Sequence, residues 1–452
     1  MVIFIKYNYV HLIGIGGSSM SGIALYLKDK GIKVSGSNNE YNSNIKKLED
    51  NNIKVYIGHY KENITNPDLV IYSKAISDTN PELIAAIDNK IPLMERSMFI
   101  GLMTKEFNSI CVSGTHGKST TSSMISLCFI NSGKNPTIQL GAILKNINSN
   151  YRNGNSNYFI LEACEYKDQF LNFYPNTEVI LNIDDDHLDY FKTIDNVKKS
   201  FINYVKKLDQ DGMLVTNADD KSCTKLTHYN KGKTLTFGID NACDYQATNI
   251  IFDKDGCASF DVNDNHITLK VKGKHNIYNA LACYAICDYY NIPKHLIVYN
   301  LSLFSGAKRR FELLGTIKNN VQIYDDYAHH PTEIRATLDS VKMTTHHENW
   351  AIFEAHTYSR LHEHLSDFAN VLKEFDHIIV APIYVAREEN HYNVKEKDLI
   401  KLIKPFNNNI RYINNYDKIV KYLKRKVKDN DLIVSIGAGK INEVCYKLLS
   451  CK

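Results

Sequence analysis

The sequence predicts an α/β protein of mostly parallel sheets divided into more than one domain, and three observations predict it. Short apolar runs of strand length alternate with helix-patterned stretches along the chain, the order that gives parallel strands joined by helical crossovers. Two of those runs open straight into glycine turns, Gly14 to Gly22 and Ser113 to Thr120. The 452 residues exceed what one hydrophobic core usually organises, so two or three domains are expected.

Composition narrows the class. Hydrophobic residues at 44% and charged residues at 23% are ordinary for a soluble globular chain. A formal net charge of +4 argues against a dedicated nucleic-acid binder, and no long basic block reverses that. The tract Lys421 to Lys426 reads as the solvated face of a helix. Ten cysteines show no Cys-x-x-Cys pair and no Cys/His zinc spacing, so reduced, mostly buried thiols are expected. Cys283 and Cys287 stand one helical turn apart, most simply as core packing. The N-terminus carries only Lys6 before the first strand, with no apolar stretch suited to a signal or a membrane span. A cytoplasmic enzyme or binding protein, with no nucleic-acid or membrane partner, is the expectation.

In chain order, Val10, Leu12, Ile13 and Ile15 form a buried-strand run ending in the first glycine turn. Ile23, Ala24 and Leu27 then pattern a helix that Gly31 stops, and Ile32 to Val34 is the next strand. This start is similar to a dinucleotide-binding unit, but Ser19 occupies the third glycine position and Asn38 stands where an acid would grip a ribose. A nucleotide diphosphate therefore suits the turn better than NAD. Val70 to Ser73 and Ile91 to Leu93 are further strands, and Gly101 to Asn108 looks like a join to a second domain.

The second glycine turn is Ser113-Gly114-Thr115-His116-Gly117-Lys118-Ser119-Thr120. Strand, turn and helix start point backbone N–H groups at one anion. Gly114 and Gly117 keep Cβ atoms out of its way, Lys118 reaches outer phosphates, and the Ser119 hydroxyl suits Mg²⁺. The spacing is shorter than a standard Walker loop, because Val112 sits where the first glycine belongs. For Gly-Lys-Ser alone a capped turn competes evenly; the flanking strand and helix favour a nucleotide triphosphate site.

Phe159 to Glu165 is a buried strand delivering acids at its C-terminal end, and Val179 to Ile183 runs into Asp184-Asp185-Asp186-His187-Leu188-Asp189. In a parallel sheet both ends lie on the edge where ligands bind. The acids complete a Mg²⁺ shell or form a solvated turn with a helix cap. Asn276 and Asn279 share a helix face, either holding a base or phosphate or capping the helix. After the basic loop Gly306 to Glu312 a new α/β series begins. Its strands are Val321 to Tyr324, Trp350 to Phe353, His377 to Val380 and Asp431 to Ile436, with Pro331 suited to a first helical position.

These motifs in this order resemble the Mur ligases of peptidoglycan synthesis end to end. The likeness is carried by Gly14 to Gly22, Gly114 to Thr120, Glu162 to Glu165, Asn182 to His187, His275 to Asn279 and Arg309-Arg310-Phe311. It continues through Asp325 to Glu333, His356 to Arg360 and Tyr384-Val385-Ala386-Arg387-Glu388. The first glycine turn together with Asp325-Asp326-Tyr327-Ala328-His329-His330-Pro331-Thr332-Glu333 is most similar to the alanine-adding branch.

The resemblance implies three domains: a Rossmann-like UDP-sugar domain (1–106), a central P-loop ATPase domain (107–312) and a Rossmann-like amino-acid domain (313–452). It implies that ATP activates the lactyl carboxylate of UDP-N-acetylmuramate as an acyl phosphate, which L-alanine then attacks. Gly16, Ser18, Ser19, Met20, Ser37 and Ser73 would contact the UDP-sugar. Gly114, Thr115, His116, Gly117, Lys118, Ser119 and Thr120, with Asn276, Asn279 and Arg310, would contact ATP. Lys118, Glu162, His187, Arg310 and Asp326 would be catalytic, and Ser119, Glu162 and His187 would hold Mg²⁺. Tyr327, His329, His356 and Arg360 would form the alanine site, in a monomer or homodimer. The chain departs from the family pattern at Asn38, Ser119 for threonine, Ala328 for glycine, Glu354-Ala355 for Gln-Pro, Thr357 and Lys440. A ligase that recycles a whole tripeptide onto the same sugar would share nearly every ATP residue. An NAD-dependent oxidoreductase is disfavoured by Asn38 and the phosphate loop, and a silent nucleotide-binding regulator by intact Lys118, Glu162 and His187.

Overall fold

The fold is given by a computed structural model that describes residues 7–386 and 388–450; Arg387 of the Tyr384 to Glu388 motif lies outside the described residues. The α/β expectation holds. The first sheet comprises β1 (Tyr9–Ile13), β2 (Lys33–Asn38), β3 (Lys54–Ile57), β4 (Leu69–Tyr72) and β5 (Leu93–Glu95), in the order β3-β2-β1-β4-β5 with every pairing parallel. The second comprises β6 (Asn108–Ser113), β7 (Thr137–Leu144), β8 (Ser149–Arg152), β9 (Tyr158–Glu162), β10 (Thr177–Ile180), β11 (Met213–Asn217), β12 (Lys233–Gly238) and β13 (Tyr245–Gln246). Its order is β13-β12-β11-β10-β6-β9-β7-β8, which puts the phosphate-loop strand β6 between β9 and β10.

A third sheet, β14 (Thr248–Phe252), β15 (Cys257–Val262) and β16 (Asn265–Lys272), is an antiparallel meander that the motif pattern did not anticipate. Its signal was present: Asn265–Lys272 alternates polar and apolar, and Ile267 and Leu269 are buried while their neighbours are not. The fourth sheet comprises β17 (Glu312–Ile317), β18 (Val321–Asp326), β19 (Asn349–Phe353), β20 (His377–Val380), β21 (Ile410–Tyr412) and β22 (Leu432–Ile436), in the order β17-β18-β22-β19-β20-β21. Only β17 in it runs antiparallel.

The central strands are apolar on both faces because helices cover both. β6 is buried from Ser109 to Ser113, and the helix Lys118–Asn131 is buried from Ser119 to Phe129. A helix enclosed all round needs no amphipathic stripe. Its first two turns meet close packing with serine and threonine instead of bulk. The helix Tyr416–Lys426 shows the opposite case: Ile419, Val420 and Leu423 face inward and the Lys421 to Lys426 charges stay largely outside. Pro331 opens its helix, Pro331–Met343, as expected. No helix among the described residues is long and apolar enough to cross a membrane.

By compactness the chain divides into two units. One runs to Ile183 and adds Asp195–Tyr245 and Ala282–Ile297; the other is Asp184–Ile194, Gln246–Leu281 and the chain from Val298 onward. The first and second sheets share the former unit, and the fourth sheet lies in the latter.

Candidate active site

In the first unit the phosphate loop is built as its residue types require. β6 ends at Ser113, Gly114 takes φ +124° and Gly117 takes φ +86° as the residue before the helix. A Cβ on Gly114 would stand 3.0 Å from the backbone nitrogen of Leu181, so bulk there would push β6 from its neighbour. Asn182 staples the loop from the adjacent strand end. Its side-chain oxygen accepts from His116 N at 2.8 Å, its side-chain amide donates to His116 O at 3.0 Å, and its carbonyl accepts from Thr115 N at 3.1 Å. Asn182 belongs to the motif pattern, but its clamping role emerges only in three dimensions.

Lys118 opens the helix and bends back over its own loop, donating to Thr115 O at 3.0 Å and to the Glu165 carboxylate at 3.0 and 3.2 Å. Glu165 is 2% exposed and Lys118 17%, so this ion pair is shielded from water on the acid's side. Ser119 Oγ donates to Glu162 Oε2 at 3.1 Å, and Ser122 Oγ reaches Glu162 Oε1 at 3.3 Å. Glu162 pairs in register with Val112, which sets its carboxylate level with the start of the loop. Hydroxyl and carboxylate oxygens are the hard donors that Mg²⁺ takes, so Ser119 and Glu162 fit that ion.

The first glycine turn is braced from below. Gly14 N and Ile15 N donate to Ser37 O at 2.8 and 2.9 Å. The Ser37 hydroxyl, fully buried, donates to the buried Glu82 carboxylate. Burial pushes Glu82 up, but His11, His59, Ser37 and Asn63 outweigh it and hold the acid down at about 2. Two of the residues expected to contact substrate have enclosed side chains. The Ser37 hydroxyl is committed inside the fold, and the Met20 side chain is packed in the core at 2% exposure. Ser18 is exposed, Ser19 half-buried and Ser73 half-buried at the end of β4. Asn38 lies so close to Gly16 that a Cβ there would meet its side chain at 2.9 Å. Arg96, not singled out in the sequence, donates to Ser19 Oγ at 3.1 Å and to Gln169. A guanidinium beside a glycine turn is the residue type a diphosphate recognises, but nothing in the spacing from Gly14 marked it.

The second unit holds the remaining candidates. Arg360 donates to Asp186 Oδ1 at 2.9 Å and meets His356 Nδ1 at 3.2 Å. Burial pushes the Asp186 carboxyl up, but Arg360, followed by His187 and His329, draws it well below the usual range. Burial, then the neighbouring His329 and Arg360, pushes His356 down to about 3, and burial lowers His329 as well. Both imidazoles are therefore neutral near pH 7. Their rings lie edge to face with centroids 5.7 Å apart, and His356 stacks on Tyr384 at 5.7 Å. His329 also meets Tyr327 edge on at 5.5 Å. His187 takes φ +58° ahead of the short helix Leu188–Phe191, and its N–H donates to Asp186 Oδ1 at 2.7 Å.

Asp326 ends β18 and accepts from Ala328 N at 3.0 Å and Thr337 Oγ1 at 2.8 Å; burial raises it to about 6 despite Arg310. The Arg310 guanidinium lies 3.8 Å from Glu333 and faces the Tyr327 ring at 5.6 Å. Its neighbour Arg309 is the structural arginine. It holds Asp325 at 3.0 Å and the carbonyls of Gly437 and Gly439 at 2.6 and 3.1 Å, a role the sequence did not separate from that of Arg310. Glu354 is buried, accepts from Ile441 N at 3.3 Å and accepts a hydrogen bond from the Tyr416 hydroxyl. Lys440 is exposed. Asn276 donates to Lys272 O at 2.7 Å and Asn279 donates to Asn276 Oδ1 at 2.9 Å, so of the two readings of this pair the helix-start brace is directly visible.

Family models cover the chain in three consecutive parts. Residues 9–108 match the Mur ligase family catalytic domain, 112–287 the Mur ligase middle domain and 309–439 the Mur ligase glutamate ligase domain. The UDP-N-acetylmuramate–L-alanine ligase of Clostridium acetobutylicum is 43% identical over 447 residues, 98% of this chain and 97% of that protein. Among solved structures, the UDP-N-acetylmuramate-alanine ligase of Thermotoga maritima aligns with a TM-score of 0.83 at 28% identity over 98% of both chains. A murein peptide ligase from Psychrobacter arcticus shares the fold, with a TM-score of 0.72 at 24% identity over 98% of both chains.

Proposed function

The chain belongs to the Mur ligase family, and from that premise we propose that it is the ATP-dependent ligase joining L-alanine to UDP-N-acetylmuramate in peptidoglycan precursor synthesis. The observation that carries the chemistry is the phosphate loop with Lys118, Ser119 and Glu162 around its mouth. A carboxylate is a poor electrophile, and converting it to an acyl phosphate gives the incoming amine a leaving group. Phosphoryl transfer asks the protein for positioning and charge neutralisation. Lys118 supplies the mobile positive charge, exchanging Glu165 for phosphate oxygens, while the helix start after Gly117 is assigned to the anion.

Ser119 and Glu162 are assigned to Mg²⁺, with His187 added by family resemblance. When bound, the ion would neutralise phosphate charge and so favour attack by the lactyl oxygen. Arg310, Asp326, Asn276 and Asn279 are assigned to the nucleotide. Arg360, already bound to one carboxylate in Asp186, has the fork geometry for the carboxylate of L-alanine. The neutral rings of His329 and His356 with Tyr327 offer that amino acid a wall without a competing cation. Gly16, Ser18, Ser19, Met20, Ser37 and Ser73, joined by Arg96, are assigned to the UDP-sugar. The parts 1–106, 107–312 and 313–452 are assigned to sugar, ATP and amino acid, and the reaction is assigned to the cytoplasm.

The test is product formation from ATP and UDP-N-acetylmuramate with L-alanine or, separately, with the L-alanyl-led tripeptide. Ligation of alanine with stoichiometric phosphate release is expected. Ligation of the tripeptide and not of alanine would replace this reading with the recycling one.

A further inference from the structure

Three thiols with no part in the ligation meet inside the first unit. Cys128 lies farther along the helix that Lys118 opens, and Cys283 and Cys287 lie one turn apart on the helix His275–Tyr289. The Cys128 and Cys283 sulfurs are 3.8 Å apart, as are those of Cys283 and Cys287, and all three lie within 4.8 Å of one another. Each side chain is 0% exposed. The other described cysteines, from Cys111 to Cys445, join no such group. The neighbouring sulfurs of Cys283 and Cys287 draw the Cys128 thiol below the usual range, while burial raises the other two.

We propose that Cys128, Cys283 and Cys287 form a binding site for one soft monovalent metal ion of the cuprous class. Sulfurs bonded at about 2.3 Å to one metal stand roughly 3.8–4.0 Å from each other, close to the spacing already present. Thiolate donors select soft ions. Structural zinc takes four ligands, and among the described residues no fourth histidine, cysteine or carboxylate joins the trio. Charge decides further. A fully buried centre penalises net charge heavily, and one thiolate with two thiols around a monovalent ion is neutral. Binding then forms metal–sulfur bonds and releases at least one thiol proton to solvent, with no change of oxidation state. Because the donors come from two helices, the ion binds the folded chain and stabilises it.

The test uses the reduced full-length chain without oxygen, titrated with cuprous ion buffered by an excess of a chromophoric cuprous chelator. One equivalent per chain should leave the chelator, with a near-ultraviolet sulfur-to-metal band, proton release and a raised thermal midpoint. Cys128→Ala and Cys283→Ala should each weaken that equivalent by at least about 100-fold, the upper range reached when even an outer partner of a metal ligand is lost. Cys243→Ala, outside the trio, should keep it. Should a trio variant not fold, X-ray absorption on the loaded parent chain still decides, with sulfur-only three-fold coordination expected. No tight equivalent in the parent, an unchanged equivalent in a folded Cys128→Ala chain, or zinc bound in preference to cuprous ion would each overturn the proposal and leave the trio as thiol packing.

Discussion

The phosphate loop and the Arg360 cluster both need left-handed backbone, and they obtain it from different residues. In the loop it falls on Gly114 and Gly117, at φ +124° and +86°. In the second unit it falls on His187, Arg309 and Thr357, at φ +58°, +61° and +71°. Glycine takes that region without a Cβ clash, whereas a β-branched residue there is a genuine outlier costing about 1–3 kcal/mol. Surrounding bonds over-determine Thr357. Its N–H donates to Tyr384 O at 3.0 Å, its hydroxyl meets Ser359 Oγ at 3.1 Å, and Ser359 is anchored on Glu388. One region is shaped by residue type and the other by its neighbours, so the two should respond differently to substitution.

The largest effect is expected where residue type carries the chemistry. Lys118→Ala should lower turnover by about 10²–10³-fold or more, as losing a preorganised charge at a transition state does, read as phosphate release at saturating substrates. Asp186→Asn tests the cluster held by its neighbours. Breaking a buried ion pair costs about 3–5 kcal/mol, and Asp186 and Arg360 are both largely enclosed at 8% and 11% exposure. Because the Asp186 carboxyl is depressed in the folded chain, its contribution is present above the ordinary aspartate pKa and is lost as pH falls through the lower folded value. Denaturant melts across pH should show the parent losing stability in acid below about pH 4, and the variant changing less there.

Smaller effects of opposite sign sharpen the contrast. Gly117→Ala puts a Cβ on a left-handed position and should cost about 1–2 kcal/mol, seen in melts together with weaker nucleotide binding. Thr357→Gly relieves the same kind of strain. After the entropy cost of glycine it should gain up to about 1 kcal/mol, while slackening the His356 to Arg360 segment and raising the alanine KM. Equal losses from both substitutions would erase the distinction between the two regions.

The same contrast explains what could be read in the sequence. The loop was legible because Gly114, Gly117, Lys118 and Ser119 announce their geometry by residue type, and alternating strand and helix runs announced three of the four sheets. Asn182, Arg96 and the Asp186–Arg360 pair were not legible as partners, because each acts across a long sequence separation that no spacing encodes. The burial of Ser37 and Met20 was not legible from the motif either. Ser37 lies on β2, which is buried continuously from Val34 to Ser37, and Met20 lies on the buried face of the helix Ser18–Asp29, so both side chains turn inward. The antiparallel meander Thr248–Lys272 carried its period-two signal without a motif to draw attention to it.

The central claim is that ATP activates the lactyl carboxylate at the Lys118 loop before alanine attacks. Its most direct measurement uses UDP-N-acetylmuramate with heavy oxygen in that carboxylate and follows the label into the released phosphate. One labelled oxygen per phosphate, formed only when ATP is present and strongly diminished in Lys118→Ala, is the expected result. Phosphate free of label alongside normal ligation would contradict the account.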